Sequence, residues 1–174
     1  MNENDPLPAP EDLARLHADC FEGPARWSAA AFAEALSDPR FFLLHVPWPP
    51  GTAGRAVVPA PGAFLLGRVI SDEAELLTVC VQLALRRRGL GAELLAGFER
   101  RARERGAHFA FLEVDAANPG ARALYRRAGW EAAGERRGYY GGRDAVLMRK
   151  ALAEGAASGR DGTSPAARRP RTGS

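Results

Sequence analysis

A chain of 174 residues is about one domain's worth, and 46% hydrophobic residues suffice for one buried core. The 19 glycines and 13 prolines fall short of low-complexity bias, and no apolar run approaches the roughly 18 to 20 residues of a membrane span. Of the formal charge of +3, two units lie beyond residue 150, where Arg160, Arg168, Arg169 and Arg171 outnumber Glu154 and Asp161. The nearly neutral body therefore offers little to a nucleic-acid partner.

Cys20 and Cys80 are sixty positions apart with no CxxC or His-rich cluster nearby, which argues against a disulfide framework or a zinc site and for a reducing compartment. The N-terminus MNENDPLPAPED lacks a basic region and an apolar region of the export type, so a cytoplasmic location is expected. Only one of the 24 basic residues is lysine, Lys150, a bias read as genomic habit.

Pro10 followed by Glu11 and Asp12 marks a helix start, and Leu13, Leu16 and Cys20 recur at helical spacing, predicting a helix over 10–21. A second helix is expected from Ser28 as N-cap, with Phe32, Ala35 and Leu36 inward, stopping at Asp38-Pro39. A strand over 40–46 follows. Five prolines and three glycines between 47 and 62 predict a long connection, with at most a short edge at 56–58. Residues 63–70 and 75–81 read as an antiparallel hairpin around the acidic turn SDEA.

Leu90, Leu94, Leu95, Phe98 and Ala102 share one face of a helix over about 89–105, closed by Gly106. The apolar strand 108–115 is fit for the centre of a sheet. A helix opened by Pro119 ends at Gly129, and strands over about 130–138 and 144–150 are joined through YYGGR. Hairpins mixed with strand–helix–strand crossovers imply an α/β chain (α+β in some schemes) with helices on both faces of a mixed sheet. One domain over 1–151 is expected, with 152–174 a disordered basic tail.

The stretch LLTVCVQLALRRRGLGAELL places a strand end, a short basic loop and a glycine-rich helix start in succession. Such a turn suits an anion, because the free amides of a first helical turn point at it and glycines let the backbone come close. There is no GK[ST] and no GxGxxG with a later acid, so the common nucleotide motifs do not fit. A solvated basic turn is the plain alternative.

Arg86-x-x-Gly89-x-Gly91, preceded by LLTVCV and followed by Glu113, Asn118, Arg122-Ala123-Leu124-Tyr125, Gly129-Trp130 and then GERRGYY and DAVLMRK, resembles the GNAT superfamily of acetyl-CoA-dependent N-acetyltransferases. Within it the combination is similar to the bacterial RimI group, enzymes that acetylate the N-terminal alanine of small-subunit ribosomal protein eighteen. The likeness covers 63–150 well and the N-terminal helices with Trp27 loosely. Gln82-Leu83 stands where many relatives have Asp-Pro.

The resemblance implies a central, mostly antiparallel mixed sheet flanked by helices, acetyl-CoA as acetyl donor, no metal, and a protein or peptide N-terminus, in particular a ribosomal protein, as partner. It implies that Val79, Cys80 and Val81 offer backbone groups to the pantetheine arm, that Arg87, Arg88, Gly89, Leu90, Gly91 and Ala92 wrap the pyrophosphate, and that Asn118 touches the cofactor near its thioester end. Glu113 is implied as general base and Tyr125 as general acid, with backbone amides near Val81 polarising the thioester carbonyl.

On residue chemistry alone, Glu113 in an otherwise apolar strand reads equally as an ion pair with an arginine, and Tyr125 as a core aromatic beside Leu124. Cys80 reads as a small buried hydrophobe rather than a nucleophile. His17, His45 and His108 show no catalytic or metal-ligand spacing. Tyr139 and Tyr140 are expected on a mobile hairpin, lining a peptide groove or simply exposed, and Asp72, Glu73 and Glu75 as an acidic turn that attracts a basic peptide or is solvated. Rival functions are acetylation of a lysine or small amine, and a non-catalytic acyl-CoA-binding or RNA-binding adaptor.

Overall fold

The structure is a computed structural model and describes residues 7–48, 60–140 and 142–152. Helix α1 (Pro10–Cys20) starts on Pro10 with Glu11 and Asp12 in its first turn, and α2 (Ala29–Ser37) is capped by Ser28 Oγ, which accepts from the Ala31 amide at 3.1 Å. Strand β1 (Phe41–Pro47) precedes β2 (Pro61–Ile70) and β3 (Glu73–Val81). Helix α3 (Leu90–Glu104), β4 (Phe109–Asp115), α4 (Pro119–Arg127), β5 (Glu131–Tyr140) and β6 (Arg143–Ala151) follow among the described residues. The six strands form one sheet in the order β1-β2-β3-β4-β6-β5, in which only β3 and β4 are parallel. This is the mixed, mostly antiparallel α/β sheet expected from the sequence.

The two faces have separate cores. Phe42, Leu65, Leu76, Leu112, Val146 and Met148 pack under Leu94, Leu95 and Phe98 of α3, together with Tyr125 of α4 and Trp130. On the opposite face Phe64, Leu66 and Cys80 pack under Leu13 and Leu16 of α1 and Phe32 and Ala35 of α2. No helix among the described residues is long and apolar enough to cross a membrane.

Several local expectations are corrected. The acidic turn shrinks to Ser71-Asp72, with Ser71 at φ 56, because Glu73 already pairs with Ile70 and Glu75 pairs with Arg68 (2.6 Å) inside the ladder. Tyr139 and Tyr140 belong to β5 rather than to a loop, Tyr140 facing Arg143 across the hairpin. The basic loop contains a 3-10 turn at Leu83–Leu85. Leu152, assigned to the tail, is buried, and its amide donates to the His108 carbonyl at 2.8 Å. The proposed edge at 56–58 and the tail from residue 153 lie outside the described residues.

A bulge sets the geometry of β3. Leu66 faces Thr78 across the ladder but Gly67 faces Leu76, so Leu77 is the extra residue. The bulge reverses the parity of side chains: Ala74 and Leu76 point to the α3 face, whereas Thr78 and Cys80 belong to the α1 side and Val79 and Val81 return to the α3 face. Opposite the bulge, Gly67 leaves the room that the Phe98 ring fills, since a Cβ there would lie 2.6 Å from Phe98 Cε2.

Three polar side chains, Glu99, His17 and Thr78, are buried among these layers. Glu99 of α3 accepts from Trp130 Nε1 (3.0 Å) and from Lys150 Nζ (2.6 Å), and Lys150 also donates to the Ala128 carbonyl at 2.6 Å. The chain's one lysine thus joins α3, the end of α4 and β6. His17, 1% exposed, accepts from the Trp27 amide at Nδ1 (3.3 Å), which leaves Nε2 to donate to Thr78 Oγ1 (3.1 Å). Burial lowers its pKa from 6.5 to about 4.

Lys150→Met removes the nearest cation from Glu99, which keeps Trp130 Nε1 and Arg103 at 3.6 Å, and takes the donor from the Ala128 carbonyl, and is expected to cost about 2 kcal/mol in urea unfolding at neutral pH. For His17 the unfolded chain binds the proton first as pH falls from 6.5 towards 4, so its neutral burial stabilises the fold above that window and is lost through it, by on the order of 3 kcal/mol. Urea titrations from pH 7 to 4 are expected to give a shallower pH dependence for His17→Gln than for the parent; parallel slopes would exclude His17 as the source.

Candidate active site

The parallel pairing of β3 with β4 runs from Glu73↔Phe109 to Leu76↔Leu112 and stops there, although β3 continues to Val81 and β4 to Asp115. The two strands diverge at the bulge, so the β4-side edge of Leu77–Val81 is left without a ladder. The Gln82 amide donates to the Gly62 carbonyl at 2.9 Å, on the β2 side. Because backbone groups alternate between the two edges, the Cys80 backbone also faces β2, while those of Val79 and Val81 face the gap. The Val81 carbonyl there accepts from Arg86 Nε at 3.0 Å and lies 3.7 Å from Cys20 Sγ.

The gap opens into two cavities that share eight lining residues, Leu77, Thr78, Glu113 and Arg143 among them. The smaller, of about 290 Å³, is lined also by Cys20, Val79, Asn118, Ala121 and Tyr125. The larger, of about 590 Å³, is lined also by His17, Trp27, Glu75 and Tyr139. Glu113 therefore lies on the wall common to the two cavities. Glu113, Tyr125, Val79 and Asn118 are gathered around the smaller cavity; residues 87 to 92 line neither cavity and lie beyond the end of β3.

At that turn Gly89 is the residue before α3 and has φ 88, a left-handed conformation that favours glycine, and Arg87 shares the region at φ 64. The Ala92 and Glu93 amides both close onto the Gly89 carbonyl, at 2.9 and 3.0 Å, so the amides of Arg88, Gly89, Leu90 and Gly91 form the open end of the helix. Arg86 is turned away from this mouth onto Val81. Gly91 brings α3 against Leu124 of α4, whose Cδ2 would lie 3.3 Å from a Cβ there.

The Glu113 side chain is 18% exposed and forms an ion pair with Arg136 of β5 at 2.8 Å. The Tyr139 hydroxyl is also hydrogen-bonded to Glu113, and that bond raises the tyrosine's pKa above its usual 10. The Arg136 guanidinium lies over the Tyr139 ring, 5.5 Å from its centre. The arginine pairing that sequence reading left open is thus present, in a place that also opens on both cavities. Asn118 Oδ1 caps α4 by accepting from the Ala121 amide at 3.0 Å, which leaves its side-chain NH2 as the donor at the cavity wall. Tyr125 is 5% exposed, packed beside Trp130, with part of its surface on the smaller cavity.

Four groups at this site escaped sequence reasoning. His17 sits between Leu13, Leu16 and Cys20 on the apolar stripe of α1, a position that could have flagged it. Arg136, Arg143 and Thr78 carried no local signal. Arg143 pairs with Asp115 at 2.7 Å and borders both cavities.

Residues 11–130 match the model of the acetyltransferase (GNAT) family. The chain is 36% identical over 139 residues to the N-alpha-acetyltransferase RimI of Mycobacterium tuberculosis, covering 79% of this chain and 83% of that protein. It is 40% identical over 90 residues to the ribosomal protein bS18-alanine N-acetyltransferase of Salmonella typhimurium, a match spanning 49% of this chain and 61% of that one. The crystal structure of the ribosomal-protein-S18-alanine N-acetyltransferase from Escherichia coli superposes with a TM-score of 0.69 at 28% identity, over 87% of this chain and 94% of the other. With a family model matched over most of its length, this chain belongs to the GNAT acetyltransferase family and is an acetyl-CoA-dependent acyltransferase of RimI-like sequence.

Proposed function

We propose that this protein is an Nα-acetyltransferase that acetylates a protein N-terminus by direct transfer, and that its acceptor is the N-terminal alanine of small-subunit ribosomal protein eighteen. The observation that carries the reading is the placement of Glu113 at the junction of two cavities, already holding a cation. An N-terminal ammonium entering through the larger cavity replaces the Arg136 guanidinium at that carboxylate. Such an amine has a pKa of about 7.7 to 8.0, so Glu113 needs only modest basicity to take its proton, directly or through one water. A ribosomal acceptor fits the cytoplasmic location expected from the sequence.

The residues present fit acetyl-CoA. Val79 and Val81 would pair with the two amides of the pantetheine arm along the open edge of β3, as an added strand does. Cys80, which turns its backbone to β2, would then contribute through position alone. The amides of Arg88 to Gly91 at the start of α3 would hold the pyrophosphate, with the Arg87 and Arg88 charges beside them. Ala92 would serve by closing that first turn. The Asn118 NH2 group would meet the cofactor near its thioester end.

Acetyl-CoA supplies an activated acetyl group whose leaving thiol has a pKa near 8.5. Tyr125 would return a proton to that sulfur, and backbone amides near Val81 would polarise the carbonyl oxygen. Arg136 and Tyr139 hold the Glu113 carboxylate ready until an amine arrives.

Glu113→Gln is expected to lower kcat by roughly 10²- to 10⁴-fold with the Kd for acetyl-CoA little changed. A kcat near that of the parent, with a loss of stability instead, would mean that the Arg136 pair is purely structural. Mass spectrometry of synthetic peptides with varied first residues is expected to find acetyl on the α-amine with a strong preference for alanine. Modification confined to internal lysines would replace the N-terminal reading.

A further inference from the structure

The only two cysteines of the chain, sixty positions apart, come together under α1, where Cys20 packs against the buried cluster that holds Cys80 and also borders the smaller cavity. Cys20 is the last residue of α1, and Cys80 is on the face of β3 that α1 covers. The two thiols belong to one packed cluster, and each influences the ionisation of the other. Cys20 Sγ also lies 3.7 Å from the Val81 carbonyl and 3.6 Å from Arg86 Nη2. Arg86 is held in that position by its own Nε bond to the same carbonyl.

The pair is asymmetric. Cys20 is partly exposed and borders the cavity, whereas Cys80 is 1% exposed, with Thr78 Oγ1 at 3.9 Å from its sulfur. The hydrogen bond from Cys80, helped by Arg86, lowers the Cys20 pKa to about 6, while burial pushes that of Cys80 up. A partly exposed thiol beside a guanidinium, with a second thiol buried in the cluster it packs against, has the attributes of an attacking and a resolving cysteine.

We propose that Cys20 and Cys80 are a peroxide-sensitive dithiol. The Cys20 sulfur attacks a hydroperoxide: its S–O bond forms as the O–O bond breaks, and the departing oxygen takes up a proton. The Cys80 sulfur then attacks Cys20, the S–S bond forming as the S–O bond breaks, and the hydroxide leaves as water with the Cys80 proton. Two thiols lose two electrons in all, and hydrogen peroxide is reduced to two waters. The product ties the last turn of α1 to β3 and can be returned to the dithiol by a reducing thiol, as suits a transient cytosolic disulfide. This chemistry does not rest on the acceptor assigned above, and the experiment below needs no acetyl transfer.

The full chain, reduced and then treated with hydrogen peroxide, is expected to lose the mass of two hydrogens and to yield a Cys20–Cys80 cross-linked peptide on digestion, reversed by dithiothreitol. In Cys80→Ser the reaction is expected to stop at a Cys20 sulfenic acid that dimedone captures, and in Cys20→Ser the Cys80 thiol is expected to survive. In the parent, iodoacetamide is expected to modify Cys20 with a pH midpoint near 6, and Arg86→Gln to move that midpoint upward. Should Cys80→Ser fail to fold, the cross-link and the alkylation profile of the parent decide alone. Recovery of Cys80 as a free thiol while Cys20 advances to sulfinic acid, or joins a second chain, would overturn the proposal.

Discussion

The site depends on the divergence of β3 from β4. A parallel pair normally continues until one strand ends; here it ends after four residue pairs while both strands run on. The cause lies in the antiparallel partner on the other side, where Leu77 is the extra residue opposite β2 and bends β3 away from β4. The same residue reverses side-chain parity, which puts Thr78 and Cys80 against α1 and turns the Val79 and Val81 backbone to the gap. A row of unpaired backbone groups beside a cavity is costly unless solvated or paired. An extended ligand with amides of its own is one chemically apt partner.

Around this gap the charges come in pairs. Glu113 has Arg136, Asp115 has Arg143, and Glu75 has Arg68. The arginines are all more exposed than Glu113 and Asp115, whose side chains are 18% and 20% exposed. In such partly screened pairs the long arginine side chain moves at small cost, because exposed ion pairs contribute about 0 to 1 kcal/mol. A cationic amine can thus displace Arg136 without first stranding a buried carboxylate. In the proposed mechanism the ion pair is therefore the resting form of the base.

Much of the fold was legible because it is written in local chemistry. Ser28 before Ala29, Pro10 and Pro119 at helix starts, and Gly106 and Gly129 at helix ends act within a few residues of themselves, and each boundary fell within a residue or two of its expected place. Apolar runs between turn signals located all six strands, but they misplaced the turn before β3, since Glu73 and Glu75 are ladder residues and Glu75 pairs with Arg68. The bulge at Leu77 had no signature at all: LLTVCV is apolar throughout, and its parity is settled by β2. The contacts of Glu113 with Arg136, of His17 with Thr78 and of Cys20 with Cys80 join residues 23 to 61 positions apart. Each is a product of sheet order, which composition and periodicity do not encode.

The turn before α3 shows how a remote contact can govern a local site. Amides at a helix start aim at a point only if the helix cannot rotate about its axis, where one residue corresponds to about 100°. Along α3, Phe98 is seated over Gly67 and against Phe42, and the next residue, Glu99, is bound by Trp130 and Lys150. Glu99 lies nine residues into the helix, about 13 Å from Leu90. At the near end, Gly91 against Leu124 fixes how closely α4 approaches. The apolar contact sets the depth of the helix and the polar one its rotation, because Glu99 turned away would lose its Trp130 and Lys150 donors from a largely buried carboxylate. The direction of the amides from Arg88 to Gly91 thus follows from a lysine more than fifty residues downstream.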